Sequence, residues 1–160
     1  MCLIVVKPNE LKVSGDGGTL TAVALGSSLS VCLYDEKNRI GGMVHTLLPE
    51  RRDKGTESGG LKYVESAVDA LYKAMLEAGA DPDGIWAKLA GGARIFCFLS
   101  WNPDLDVGRE NVRQAREKLR SLQIPIMAED TGENFGRTVY FHLSDGSLDI
   151  ETAGKYRYGI

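Results

Sequence analysis

The chain has 160 residues, 43% hydrophobic and 26% charged, which suits one domain spanning 1–160 with a full hydrophobic core and no stapling metal or disulfide. Its 22 acidic and 19 basic side chains leave a net charge of −3 spread along the chain, which argues against a nucleic-acid partner. The three cysteines, Cys2, Cys32 and Cys97, are odd in number and widely spaced, so they indicate neither a zinc site nor a disulfide framework and fit a reducing cytoplasm; no apolar run is long enough for a signal peptide or membrane insertion.

Residues 3–6 read as a short strand closed by Pro8, and Leu11 to Val13 extends the sheet. Ser14 to Gly18 is a turn; no helix start or phosphate-binding lysine follows its glycines. The β-branched run Thr19 to Leu25 then delivers the chain to a small-residue corner, Leu25-Gly26-Ser27-Ser28. Beyond it, Leu29 to Tyr34 and Ile40 to Leu48 are apolar segments joined by the polar turn Asp35-Glu36-Lys37-Asn38, a hairpin signal. Cys32 fits the first segment as a small buried hydrophobe.

Of the two histidines, His45 is the one that interrupts an apolar strand. By itself it reads either as a hydrogen-bonded core residue or as a base for Ser28. The corner Gly26-Ser27 favours the second reading, because small residues let backbone N–H groups point at a substrate oxygen.

Residues 50–60 form a polar loop, solvated or used for contact through Arg51 and Arg52. From Leu61 the period becomes helical, with Val64, Ala67, Val68, Leu71, Met75 and Ala78 on one face and Gly79 as the stop. After the turn at Pro82, Ile85 to Leu89 reads as a buried strand that breaks at Ala90-Gly91-Gly92-Ala93, where glycines admit close backbone approach, to the site or to a packed strand. Arg94 to Leu99 is expected to continue as strand, followed by a loop with Trp101 near its tip, as a partner anchor or buried under the loop. A second helix follows near 108–122, with Val112, Ala115, Leu119 and Leu122 on its apolar face. Ile124 to Ala128 is a strand, and Glu129-Asp130 reads as a hydrogen-bonded turn held through Arg137 more readily than as a metal site. Thr138 to Leu143 and Leu148 to Thr152 form a closing hairpin, on which His142 is structural or solvent-facing.

These segments resemble, in order, the CheD family of chemoreceptor glutamine deamidases. The resemblance rests on Leu25-Gly26-Ser27-Ser28, on Gly41-Gly42-Met43-Val44-His45 with Leu48-Pro49, on the run Ala87 to Ala93, and on Glu129 to Arg137. Gly108 to Asn111 is similar to the family's Gly-x-Arg-Asn element with the arginine one place early, and the connection before it looks longer. The resemblance implies an α+β fold: a layered mixed β-sheet of about eight or more strands packed with two main helices. It implies catalysis by residue 28 with His45, oxyanion or substrate-adjacent roles for Gly26, Ser27, Gly91, Gly92 and Tyr63, and neither metal nor cofactor. The implied partners are a chemoreceptor cytoplasmic domain and a CheC-type phosphatase, in the cytoplasm.

Two positions depart from the pattern. The family's nucleophile is a cysteine where this chain has Ser28, and its supporting threonine, six residues earlier, is Ala22 here. Thr21 is adjacent but on a strand faces the other way. Serine must lose its proton as it attacks, whereas a thiol paired with histidine ionises near neutrality. Losing the orienting acid of a serine-protease triad costs ~10⁴ in turnover and losing its nucleophile ~10⁶. Four readings stay open: a deamidase with its cysteine replaced to trap substrate, a natural relative that has lost catalysis and kept a binding or regulatory role, a hydrolase using Ser28 and His45, or a coincidental motif. Five matched segments argue against the last, and the double departure favours the second over the first.

Overall fold

The computed structural model describes residues 2–50, 60–95, 106–154 and 156–160. They form two helices and ten strands in two five-stranded sheets. The first sheet runs β1 (Leu3–Val5), β3 (Thr19–Leu25), β8 (Arg137–His142), β9 (Leu148–Thr152) and β10 (Arg157–Gly159). The second runs β2 (Glu10–Ser14), β5 (Ile40–Thr46), β4 (Leu29–Asp35), β6 (Ile85–Gly91) and β7 (Ile126–Thr131). β1 lies parallel to β3 and β6 parallel to β7, and the other pairs are antiparallel, so both sheets are mixed.

The expected strands are therefore divided between two sheets, and the helices cover only one of them. Strand alternation sets the layers. On β4, Leu29, Val31 and Leu33 face the helices, with Val68, Leu71, Met75, Ala115 and Leu119 in one core cluster. Cys32 and Tyr34 point the opposite way, into a second cluster with Leu20, Ala22, Val139, Phe141 and Ile150 of the first sheet. All seven residues of β4 are buried, which is why it reads as a nearly continuous apolar run. The order is thus sheet, sheet, helices, with the β4–β5 hairpin in the middle.

Helix α1 (Val64–Glu77) buries Val64, Ala67, Val68, Leu71 and Met75 of the predicted stripe, whereas Ala78 is its exposed C-cap, and the chain turns at Gly79, whose φ of +102° suits a residue without Cβ. Helix α2 (Val107–Ser121) opens with the Asp106 side chain accepting from the Arg109 N–H at 3.0 Å, a side-chain N-cap. The strand expected over Arg94 to Leu99 is corrected at its first two residues, and 96–99 lie outside the described residues. β6 stops at Gly91, and Arg94 and Ile95 lie outside any strand, because Gly91 and Gly92 adopt φ of +114° and +65° and turn the chain out of the sheet. The expectations for Arg51, Arg52, Cys97 and Trp101 fall outside the described residues.

Candidate active site

Ser28 and His45 meet because of the hairpin register. Ser30 on β4 sits directly opposite His45 on β5, and Ser28 lies two residues earlier, on the same side of the chain and diagonal to the imidazole. The result is a hydrogen bond of 3.1 Å between Ser28 Oγ and His45 Nε2. On the other side of the ring, Nδ1 lies 3.4 Å from the Val6 carbonyl oxygen, just beyond β1. A carbonyl only accepts, so Nδ1 carries the proton and Nε2 accepts from the Ser28 hydroxyl. Val6 thus orients the ring through its main chain, from the side of the imidazole opposite Ser28.

Both side chains are nearly closed off: His45 is 2% exposed and Ser28 9%. Burial pushes the imidazole pKa below its ordinary 6.5, opposed in part by the Val6 carbonyl, so the ring is neutral at pH 7. A neutral imidazole aimed at a hydroxyl is the arrangement a general base requires.

The corner itself is held by its carbonyls. The Gly26 oxygen accepts from the Ala93 N–H at 2.9 Å and the Ser28 oxygen from the Gly92 N–H at 2.9 Å. The Ser27 oxygen accepts from Asn111 Nδ2 at 2.8 Å. These three bonds face the scaffold. Among the described residues nothing accepts the amide protons of Ser27 or Ser28. The Gly92 N–H is already engaged by the Ser28 oxygen, and of Gly26, Ser27 and Ser28 at the corner only Ser27 is exposed.

Gly91 and Gly92 have separate packing reasons. A Cβ on Gly91 would stand 2.4 Å from the Ser28 oxygen, and one on Gly92 would stand 2.8 Å from the Gly108 oxygen. The pair lets β6 touch the corner on one side and the first turn of α2 on the other. Tyr63 is half-buried at the N-cap of α1, bridged to Leu48, and is not hydrogen-bonded to Ser28 or His45.

Other candidates settle into structural positions. Ala22 lies in the core between the sheets, while the Thr21 hydroxyl is buried without a hydrogen-bond partner among the described residues. Burial raises the Cys32 thiol to about 12, so it is no nucleophile. His142 bonds Thr19 at 3.1 Å and Asp149 at 3.0 Å. Glu129 is paired with Arg116 on α2, and Asp130 with Arg137 at 2.7 Å. A cavity of about 370 Å³ lined by Gly92, Arg94, Arg109 and Glu133 lies beside the corner, and neither Ser28 nor His45 lines it.

Two contributors escaped the sequence reading. The Val6 carbonyl has no side-chain signature. Asn111 stood in a recognisable Gly-x-x-Asn spacing, but only the fold brings it to Ser27 and to the Leu47 carbonyl, which it also bonds at 3.0 Å.

Residues 47–152 match the family model described as CheD chemotactic sensory transduction. A protein of Lachnoclostridium phytofermentans named "Probable chemoreceptor glutamine deamidase CheD" is 38% identical over 153 residues, covering 96% of this chain and 95% of the relative. A protein of the same name from Thermococcus kodakarensis is 41% identical over 139 residues, covering 87% and 86%. One from Caldanaerobacter subterraneus is 39% identical over 145 residues, covering 91% and 90%.

Proposed function

This chain belongs to the CheD family, and on that premise we propose that it is a chemoreceptor glutamine deamidase scaffold in which an oxygen, Ser28, occupies the place of the family's sulfur nucleophile. The observation that carries this reading is the 3.1 Å bond from Ser28 Oγ to a buried, neutral His45 whose far nitrogen is held by Val6. In the reaction the nucleophile would attack the side-chain amide carbon of a receptor glutamine while His45 Nε2 takes the hydroxyl proton. The imidazolium returns it to the departing nitrogen, which leaves as ammonia. Water, deprotonated by the same imidazole, then cleaves the acyl-enzyme ester to give glutamate and restore Ser28.

With serine this sequence is slow or absent. The hydroxyl cannot ionise beforehand as a paired thiol does, and the carbonyl behind His45 carries no charge with which to stabilise an imidazolium. The chain therefore keeps the geometry of the deamidase with a weak nucleophile. It acts in the cytoplasm as a single domain, and its partners are the receptor cytoplasmic domain and a CheC-type phosphatase.

The test is the mass of a chemoreceptor cytoplasmic fragment after incubation with this protein and, in parallel, with its Ser28→Cys variant. Conversion of glutamine to glutamate adds about 1 Da, because NH₂ is replaced by OH, and the expected result is conversion by the cysteine variant at a rate far above that of the serine protein. No conversion by either contradicts the reading. A second reading, a true serine hydrolase, draws on the same bond; labelling of Ser28 by a fluorophosphonate would support it and absence of labelling would end it.

A further inference from the structure

Asn111 is fully buried at the start of α2, and both of its described hydrogen bonds leave from one nitrogen, to the Ser27 oxygen at 2.8 Å and the Leu47 oxygen at 3.0 Å. Its own Oδ1 is buried with no partner among the described residues. Leaving a buried acceptor unpaired is destabilising, so a purely structural position would favour an apolar side chain of the same shape. What the asparagine alone supplies is a donor to two carbonyls that come from the two halves of the site. Ser27 precedes the nucleophile, and Leu47 follows the base by two residues.

The peptide joining Ser27 and Ser28 is trans, as all described peptides are, so its C=O and N–H point in opposite directions. Fixing the oxygen on Asn111, toward the scaffold, turns the Ser28 N–H away from the scaffold. That amide has no acceptor among the described residues and belongs to the nucleophile's own residue. A donor at that position is suited to the oxyanion that forms when the attacking atom adds to a carbonyl.

The geometry points to Asn111 as a positioning residue that aims the Ser28 amide as an oxyanion donor and ties it to the strand carrying the base. The inference rests on the reading of residue 28 as the attacking atom. Close contact makes the reach possible: a Cβ on Gly108 would stand 2.4 Å from the Ala93 oxygen and 2.6 Å from the Gly92 oxygen, so α2 lies directly on the glycine corner.

Two reactions of the introduced thiol in the Ser28→Cys protein separate this role from general support. Acylation by p-nitrophenyl acetate passes through a tetrahedral oxyanion, whereas alkylation by iodoacetamide is a displacement at saturated carbon with none. Labelling is read at residue 28 by peptide mass mapping, because Cys2 is also exposed. Adding Asn111→Ala is expected to slow acylation roughly 10- to 100-fold, in line with loss of an oxyanion donor, and to leave alkylation unchanged. Asn111→Asp, which lacks the amide donors, gives the same split and guards against a folding defect peculiar to alanine. If both reactions slow together, or neither does, in both variants, the inference is overturned. Receptor deamidation by the Ser28→Cys parent is scored separately. A split without deamidation keeps the inference and removes the deamidase reading, whereas deamidation without a split does the reverse.

Discussion

His45 is buried neutral, and a group held that way makes stability depend on pH. Its folded pKa is depressed below 6.5, chiefly by burial, while in the unfolded chain the imidazole takes up a proton near that ordinary value. Below about 6.5 the unfolded state therefore binds more protons, so the contribution is complete above that pH and is lost as pH falls through the depressed folded value. Urea midpoints should stay level above pH 6.5 and begin to drop below it, before the carboxylates titrate. His45→Gln should flatten that early part of the drop; an identical drop in the variant would place the effect elsewhere. The pair was legible in the sequence because a histidine breaking an apolar strand and a serine after a small-residue corner are both visible along the chain. Val6 and Asn111 were not, because their contacts with His45 and with Ser27 cross 39 and 84 residues and one of them is made by a main-chain carbonyl.

The contact of β6 with α2 carries the site at the scale of elements. Both helices were readable from their 3.6-residue apolar period, and the β4–β5 hairpin from two apolar runs around a polar turn. The break of β6 at its glycines was readable too, but the expected return to strand at Arg94 was not met at Arg94 and Ile95, since an apolar run satisfies strand composition and no local count reveals that Gly91 and Gly92 hold positive φ. The reason for those glycines is three-dimensional: β6 must approach both Ser28 and Gly108. Gly108→Ala places a methyl group against two carbonyl oxygens, and should lower stability by roughly 1 to 3 kcal/mol as an overpacked contact. It should also slow acylation of the thiol in the Ser28→Cys protein, because lifting α2 withdraws Asn111. Denaturant unfolding together with that acylation rate checks the prediction, and unchanged stability would contradict it.

For the whole molecule, two sheets share an interior that one side of β4 fills, and a polar connection joins them at the end where Leu25 leads into the Gly26-Ser27-Ser28 corner. Arg137 on β8 of the first sheet pairs with Asp130 on β7 of the second at 2.7 Å, donates to the Gly132 oxygen at 3.0 Å and stacks over Phe135. Tyr158 on β10 donates to the other Asp130 oxygen. The arginine side chain is 1% exposed and the aspartate 16%, so removing one partner leaves the other poorly solvated. Arg137→Ala should cost roughly 3 to 5 kcal/mol, and adding Asp130→Ala should recover part of that loss. Chemical denaturation of the two single variants and the double decides it; additive losses would contradict the coupling. Helix and strand identity followed from periodicity and the α+β layering from the family resemblance, but the division into two sheets followed from neither. Alternation says which side chains share a face and is silent on which strands pair across the chain, as β2 does with β5 and β1 with β3.

Ser28 and His45 stand as a neutral donor and acceptor with the ring held from behind. Nitrogen-15 NMR of the two imidazoles across a pH titration tests this arrangement most directly, with His142→Gln assigning the signals. His45 should prove protonated at Nδ1, accept at Nε2 and titrate below 6.5. A His45 protonated at Nε2, or one that titrates at or above that value, would contradict it.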